Sequence, residues 1–169
     1  FSVGGNQSNG ITNAGILTIA KTGTKDNVFT ITGNDSTGIY NTGSKIVATN
    51  VEFNINRNGT KQHSAGLINT GTSANQITLT TGTFNVHQNK AHGIINENAS
   101  GDIKLYSINF NVGDNVGGTT SGNLSNGITN KGKVTTNDGV FTINGRNANG
   151  ILNEQAGVVE TNRTDFTVS

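Results

Sequence analysis

The chain has 169 residues, of which 31% are hydrophobic and 12% are charged, with 24 Gly and no Pro, Met, Trp or Cys. This composition is too polar for a compact domain around one central core, yet too weakly charged and too regular in its apolar positions for a disordered segment. A net charge of +1 offers no field to attract nucleic acid, and the lack of Cys excludes disulfides. No apolar run approaches the roughly 18–20 residues of a membrane span.

An internal repeat covers the whole chain. In four units a Gly follows the first Phe by nine positions, an Ile comes next, and an Asn stands two positions after the Ile. Two other units carry four and eight additional residues before this Gly, and the last unit contains only its first residues. We therefore expect a segment of a longer repeat array. The units begin at Phe1, Phe29, Phe53, Phe84, Phe110, Phe141 and Phe166.

Each unit contains three short runs that have the pattern of β-strands. In chain order these are a Gly-Ile-x-Asn run such as 10–13, a β-rich run such as ILTI at 16–19, and a Phe-x-(Ile or Val) run such as 29–31. Alternation of apolar and polar residues with period two gives a strand one buried face. One unit is too small to bury that face alone, so neighbouring units must stack on one another.

Units of 23 to 34 residues with three short strands predict one coil each of a right-handed parallel β-helix. We expect a single all-β solenoid over residues 1–169, with about six coils. Inside it Phe would stack on Phe and Ile on Ile, while the Asn of each Gly-Ile-x-Asn run would point inward and form a ladder at a corner. The alternatives are an antiparallel β-sandwich and a β-propeller, which favour hairpin turns and four strands per blade respectively.

The two insertions lie near 57–64 and 113–125, at the same turn of the repeat. We therefore expect them to project from the same corner of the rod. Loops on a rigid scaffold vary without disturbing the core, and binding residues are often found there. Cationic and hydrogen-bonding side chains suited to a glycan or an acidic ligand make the first insertion a candidate ligand loop, although both insertions could also be neutral. These side chains are Arg57, Lys61, Gln62 and His63.

A second candidate site lies between the buried Ile and Asn of each first strand. The residue between them points outward, and stacking would align these residues in one column. Four of the six are apolar, so the column is a candidate partner surface on an otherwise Thr- and Asn-rich exterior. Coverage by an adjacent loop is the alternative. The four apolar members are Tyr40, Ile68, Ile95 and Leu152, and the other two are Thr12 and Thr129.

The distribution of acids and histidines predicts neither catalysis nor a metal or other cofactor. Asp26 and Asp138 precede their Phe by three positions, whereas Glu52 and Asp165 precede theirs by one. No two acids share a position in adjacent coils, so the paired carboxylates of a glycoside hydrolase are not indicated. The three histidines occupy different positions of the repeat and do not form a metal-ligand set. They are His63, His87 and His92.

The sequences GITNAG (10–15), GIYNTG (38–43), GLINTG (66–71) and GITNKG (127–132) resemble the low-complexity repeats of bacterial autotransporter passengers and other type V secreted adhesins. The resemblance implies a non-catalytic surface or secreted segment that attaches to a protein or glycan of a host or bacterial cell, or to itself, with roles in adhesion, biofilm formation and virulence. The alternatives are a subunit of an extracellular fibre or matrix and a carbohydrate-active β-helix enzyme.

Overall fold

The structure is a computed structural model that describes residues 1–21, 26–56, 64–71, 73–87, 89–113 and 124–169. This part of the chain contains sixteen β-strands and no helix, and hence no helix that could cross a membrane. The strands are β1 (Ser2–Val3), β2 (Asn9–Asn13), β3 (Ile16–Ile19), β4 (Asn27–Ile31), β5 (Thr37–Asn41), β6 (Lys45–Ile55), β7 (Ser64–Asn69), β8 (Gln76–Val86), β9 (Ala91–Asn96), β10 (Asp102–Val112), β11 (Asn126–Asn130), β12 (Lys133–Asn137), β13 (Val140–Ile143), β14 (Asn149–Asn153), β15 (Val158–Asn162) and β16 (Asp165–Val168).

The strands form two sheets in which each strand pairs with its counterpart in the next coil. Six first strands form one sheet in the order β14-β11-β9-β7-β5-β2, and the second and third strands form a ten-stranded sheet. Every pairing in the described residues is parallel. The chain is therefore a parallel β-solenoid, as the repeat predicts, with about five turns where the sequence predicted about six coils. Parallel pairing is incompatible with the antiparallel sandwich and propeller.

The prediction of three separate strands per coil is wrong in the central coils. There the second and third strands are continuous 11-residue strands, β6, β8 and β10, that bend at one residue. The bending residues Asn50, Thr81 and Ser107 have φ angles of 50°, 56° and 53°. The register skips these residues and resumes directly after them, so one left-handed residue turns the chain while the strands on both sides stay paired. Two consecutive outward residues stand at each bend and shift the alternation of buried and exposed residues by one position.

The third strands stack their Phe rings in one column inside the tube. Adjacent ring centroids lie 4.6–4.9 Å apart and the rings are parallel within 16°. Phe84 is fully buried between Phe53 and Phe110, while the next residue, Asn85, is partly exposed. The strand parity predicted from sequence is confirmed for this strand.

The repeated Gly has a steric cause that the sequence pattern alone did not give. A Cβ atom built on Gly66 would lie 2.8 Å from Cε1 of Phe84 and 2.8 Å from the backbone oxygen of Gly93. A Cβ atom built on Gly38 would likewise contact the ring of Phe53, and one built on Gly93 would contact the ring of Phe110. The ring of each coil thus packs against the backbone of the first strand, and only Gly leaves room for it.

A ladder of Asn side chains, buried except for Asn153 at its end, occupies the corner after each first strand, as predicted. Nδ2 of Asn13 donates to Oδ1 of Asn41 at 2.7 Å, and four further links of 2.9 Å run in the same direction to Asn153. Asn41 also donates to the backbone oxygen of Gly43 and accepts from its N–H, which closes the turn. The ladder therefore satisfies buried polar groups within a coil and between coils. Its members are Asn13, Asn41, Asn69, Asn96, Asn130 and Asn153.

Most of the two insertions lies outside the described residues, namely 57–63 and 114–123. The candidate ligand residues Arg57, Lys61, Gln62 and His63 therefore also lie outside them. The strands before them are described. Ile55 and Val112, which end β6 and β10, both pair with Val86 of β8. The strand ends that precede the two insertions thus lie on the same side of the rod, two coils or about 10 Å apart along its axis. The candidate ligand loop stays a prediction.

Candidate functional site

The predicted outward residues of the first strands lie in one column. The pairing register joins Thr12 to Tyr40, Tyr40 to Ile68, Ile68 to Ile95, Ile95 to Thr129 and Thr129 to Leu152. Neighbouring side chains in a parallel register are about 4.8 Å apart. The four apolar members therefore form an apolar column, interrupted by Thr129, along the axis of the rod.

The apolar column is less exposed than the sequence predicts. Ile95 is buried, with 4% of its surface exposed, while Tyr40, Ile68 and Leu152 are half-buried. The hydroxyl of Tyr40 accepts a hydrogen bond from Thr70 Oγ1 at 3.3 Å. Parity along one strand determines the direction of a side chain but not what lies over it, so a buried residue at an outward position could not be predicted. The accessible part of the column consists of Tyr40, Ile68 and Leu152.

A polar cluster that sequence reasoning missed lies beside Ile95. His92 is 4% exposed, and its Nδ1 lies 3.2 Å from both Asn126 Nδ2 and Thr129 Oγ1. Asn126 Nδ2 also donates to Thr129 Oγ1 at 3.0 Å. Because an amide nitrogen can only donate, Nδ1 is the acceptor and the ring proton of the neutral histidine is on Nε2. The His92 ring is thus fixed by neighbours from the next coil.

Two carboxylates that the repeat assigns to different positions line one cavity. Asp26 precedes β4, and Glu52 lies in β6, which pairs with β4 through Asn27 and Val51. The cavity has a volume of about 170 Å³ and also includes polar residues of β8 and β10. The sequence expectation that the acids stay apart considered only identical positions in adjacent coils. Diagonal neighbours across a pair of strands also approach each other.

Other charged side chains form exposed pairs between coils. Arg163 donates to both carboxylate oxygens of Asp138 at 2.5 and 2.9 Å, and Lys133 lies 2.9 Å from Glu160. The hydrogen bond from Arg163 lowers the pKa of Asp138, and the hydrogen bond with Lys133 lowers the pKa of Glu160. Exposed pairs of this kind contribute little to stability because water screens them. They neutralise the outer faces of the later coils.

The acids and histidines of the described residues are spread over the rod. Within the described ranges, no three His, Asp or Glu side chains come together in a group that could hold a metal ion. His87 follows the end of β8, His92 lies in β9, and His63 lies outside these ranges. Two groups of polar side chains in the described residues remain as candidate sites, the residues that line the cavity at Asp26 and Glu52 and the cluster around His92.

No protein-family model, no curated protein and no solved structure matches this chain.

Proposed function

We propose that this solenoid is a non-catalytic structural and binding segment of a bacterial cell-surface or secreted adhesin. The observation that supports it best is the division between inward and outward positions. The inward columns repeat one residue type, Phe or Asn, in coil after coil, whereas the outward column from Thr12 to Leu152 changes its chemistry. A constant scaffold with a variable exterior suits attachment, since recognition residues can differ without loss of the core.

The partner in this proposal is a protein or glycan on a host or bacterial surface, or a second adhesin. The three half-buried members of the apolar column, Tyr40, Ile68 and Leu152, form the surface proposed for a protein partner. Aromatic and aliphatic side chains contribute strongly to protein interfaces when a partner removes their remaining surface from water. The repeat motif Gly-Ile-x-Asn-x-Gly supports the type V secreted class and an extracellular location.

The proposal is tested by attachment of the purified chain to bacterial and epithelial cells. We expect saturable attachment that decreases in the double variant Tyr40→Ser and Leu152→Ser. Thr12→Ser, in the same column, is the matched control and should attach like the parent chain. Thermal unfolding of each variant separates loss of binding from loss of fold.

Absence of saturable attachment of the folded chain to every cell type tested would contradict the adhesin proposal. Concentration-dependent growth of long assemblies in sedimentation would favour the fibre alternative. Depolymerisation of a polysaccharide by the purified chain would favour the enzyme alternative.

A further inference from the structure

The cavity at Asp26 and Glu52 is part of a groove along one corner of the rod. We name it the corner groove, and its polar residues are Asp26, Asn50, Glu52, Thr81, Thr83, Ser107 and Asn109. They come from β6, β8 and β10 and from the residue before β4, which are four successive coils. At about 4.8 Å per coil the corner groove extends for roughly 14 Å along the axis. It can therefore contact an extended ligand at several points.

The shape of the corner groove follows from the backbone and from one Gly. Asn50 and Ser107 are left-handed residues at the bends of β6 and β10. Gly82 stands between Val51 and Ile108 in the pairing register, and since both of these side chains are buried in the core, the backbone of β8 forms part of the floor of the corner groove. A Cβ atom on Gly82 would lie 2.3 Å from the backbone oxygen of Val51. The depression is thus built into the fold.

The polar groups of the corner groove combine acceptors and donors. Glu52 accepts one hydrogen bond, from Asn54 Nδ2 at 2.8 Å, and a carboxylate has capacity for about four. Asp26 forms an exposed ion pair with Lys21 at 3.1 Å. Asn50 and Asn109 offer amides that both donate and accept, and Thr83 and Ser107 offer hydroxyls. This mixture matches the hydroxyl groups of a sugar, which donate and accept at adjacent carbons.

We propose that the corner groove binds an oligosaccharide of neutral hexoses or hexosamines. Its two carboxylates disfavour an acidic glycan by repulsion. The strands that form its floor offer nothing to a peptide backbone, because β8 already pairs on one side with β6 and on the other with β10. The cavity of about 170 Å³, lined by residues of four coils, accommodates one sugar ring.

This inference deepens the proposed adhesin function and rests on it, but its test has a separate result. The purified chain is titrated with chitotriose, its N-acetylated form and maltotriose, with trigalacturonate as the acidic comparison, while amide resonances are followed by NMR. We expect saturable shifts confined to residues of the corner groove for one or more of the first three sugars and none for trigalacturonate.

Two variants and a matched control show whether the corner groove is the site. Glu52→Gln should weaken binding by about tenfold or more, the effect of losing hydrogen bonds to a charged group. Thr83→Tyr should abolish binding by filling the groove. Glu160→Gln, an exposed acid paired with Lys133 in a later coil, should bind like the parent chain.

Three outcomes would overturn the inference. The first is the absence of a saturable shift with every neutral or amino sugar, and the second is that the Thr83→Tyr variant binds as tightly as the parent chain. The third is cleavage of the bound sugar, which would make the groove catalytic. Preferential binding of trilysine, titrated in parallel, would identify a basic peptide as the ligand instead. Cell attachment that persists in Thr83→Tyr would leave the adhesin proposal standing without the groove.

Discussion

The stability of the tube at the residue scale depends on which side of each strand a side chain occupies. Phe84→Ala removes a ring that stacks at 4.6 Å on Phe53 and 4.9 Å on Phe110. We expect it to lower the free energy of unfolding by about 3–5 kcal/mol, since the cavity opens inside a close-packed column. Asn85→Ala, on the opposite face, should cost well under about 1 kcal/mol. Denaturant unfolding of both variants measures the difference, and equal losses would contradict the assigned parity.

The repeated Gly makes a prediction about the backbone rather than about a side chain. Gly66→Ala places a methyl group 2.8 Å from the Phe84 ring and from a backbone oxygen, so the ring or the strand must move. Overpacking of this kind costs about 1–3 kcal/mol. Gly15→Ala is the control, because nothing lies within 4 Å of its built Cβ atom. If both variants unfold at the same denaturant concentration, contact with the ring does not explain the Gly of the repeat.

At the scale of the strand, each bend carries a residue with an unfavourable φ angle. Thr81 bends β8 at φ 56°, although its branched side chain disfavours the left-handed region, and Asn50 fills the same position in β6. We expect Thr81→Asn to stabilise the chain by up to about 1 kcal/mol, as Asn adopts this conformation more readily. Thr83→Asn, two residues on in the extended part of β8, should give no gain. A lower free energy of unfolding for Thr81→Asn than for the parent would contradict the account.

The pair Asp138 and Arg163 connects two bends in adjacent coils and gives a pH dependence. Hydrogen bonding from Arg163 holds the pKa of Asp138 below its ordinary value of 3.8 in the folded chain. A lowered folded pKa means that the carboxylate stabilises the fold above pH 3.8 and that this contribution disappears as the pH falls through the lowered value. Asp138→Asn should therefore be less stable than the parent at pH 6, and the difference should shrink as the pH falls below 3.8. A difference that grows on acidification would reverse the assigned sign.

The sequence pattern predicted the strands better than it predicted the bends between them and the residues that cover them. Period-two alternation located the Phe column and the Asn ladder because burial inside the tube depends only on local parity and on stacking of identical units. The continuity of β6 through Asn50 was missed, since the bend shifts the alternation by one residue and therefore resembles the end of one strand and the start of another. The burial of Ile95 and the shared cavity of Asp26 and Glu52 depend on neighbours distant in sequence, and one strand does not encode them.

At the scale of the whole molecule, the residues that stabilise the rod and the surfaces proposed for recognition occupy different columns of the same repeat. Phe, Gly and Asn form the interior and its corners, and each coil contacts mainly the coils on either side. Stability in such a rod is the sum of interfaces between neighbours, so a change in one coil has mostly local effects. The outer column and the corner groove can therefore be altered while the rod remains folded, which is the condition that the proposed binding experiments require.

The parallel register of successive coils is the claim on which all these surfaces depend, and cysteine cross-linking tests it directly because the chain contains no Cys. Thr78 and Lys104 are paired neighbours in β8 and β10, whereas Tyr106 pairs with Thr80. A disulfide requires Cα atoms within about 7 Å, which paired residues satisfy at about 4.8 Å and residues shifted by two positions exceed. We expect the double variant Thr78→Cys and Lys104→Cys to form an intramolecular disulfide under mild oxidation, and Thr78→Cys with Tyr106→Cys to remain reduced. Efficient cross-linking of the second pair in place of the first would contradict the register and the solenoid built on it.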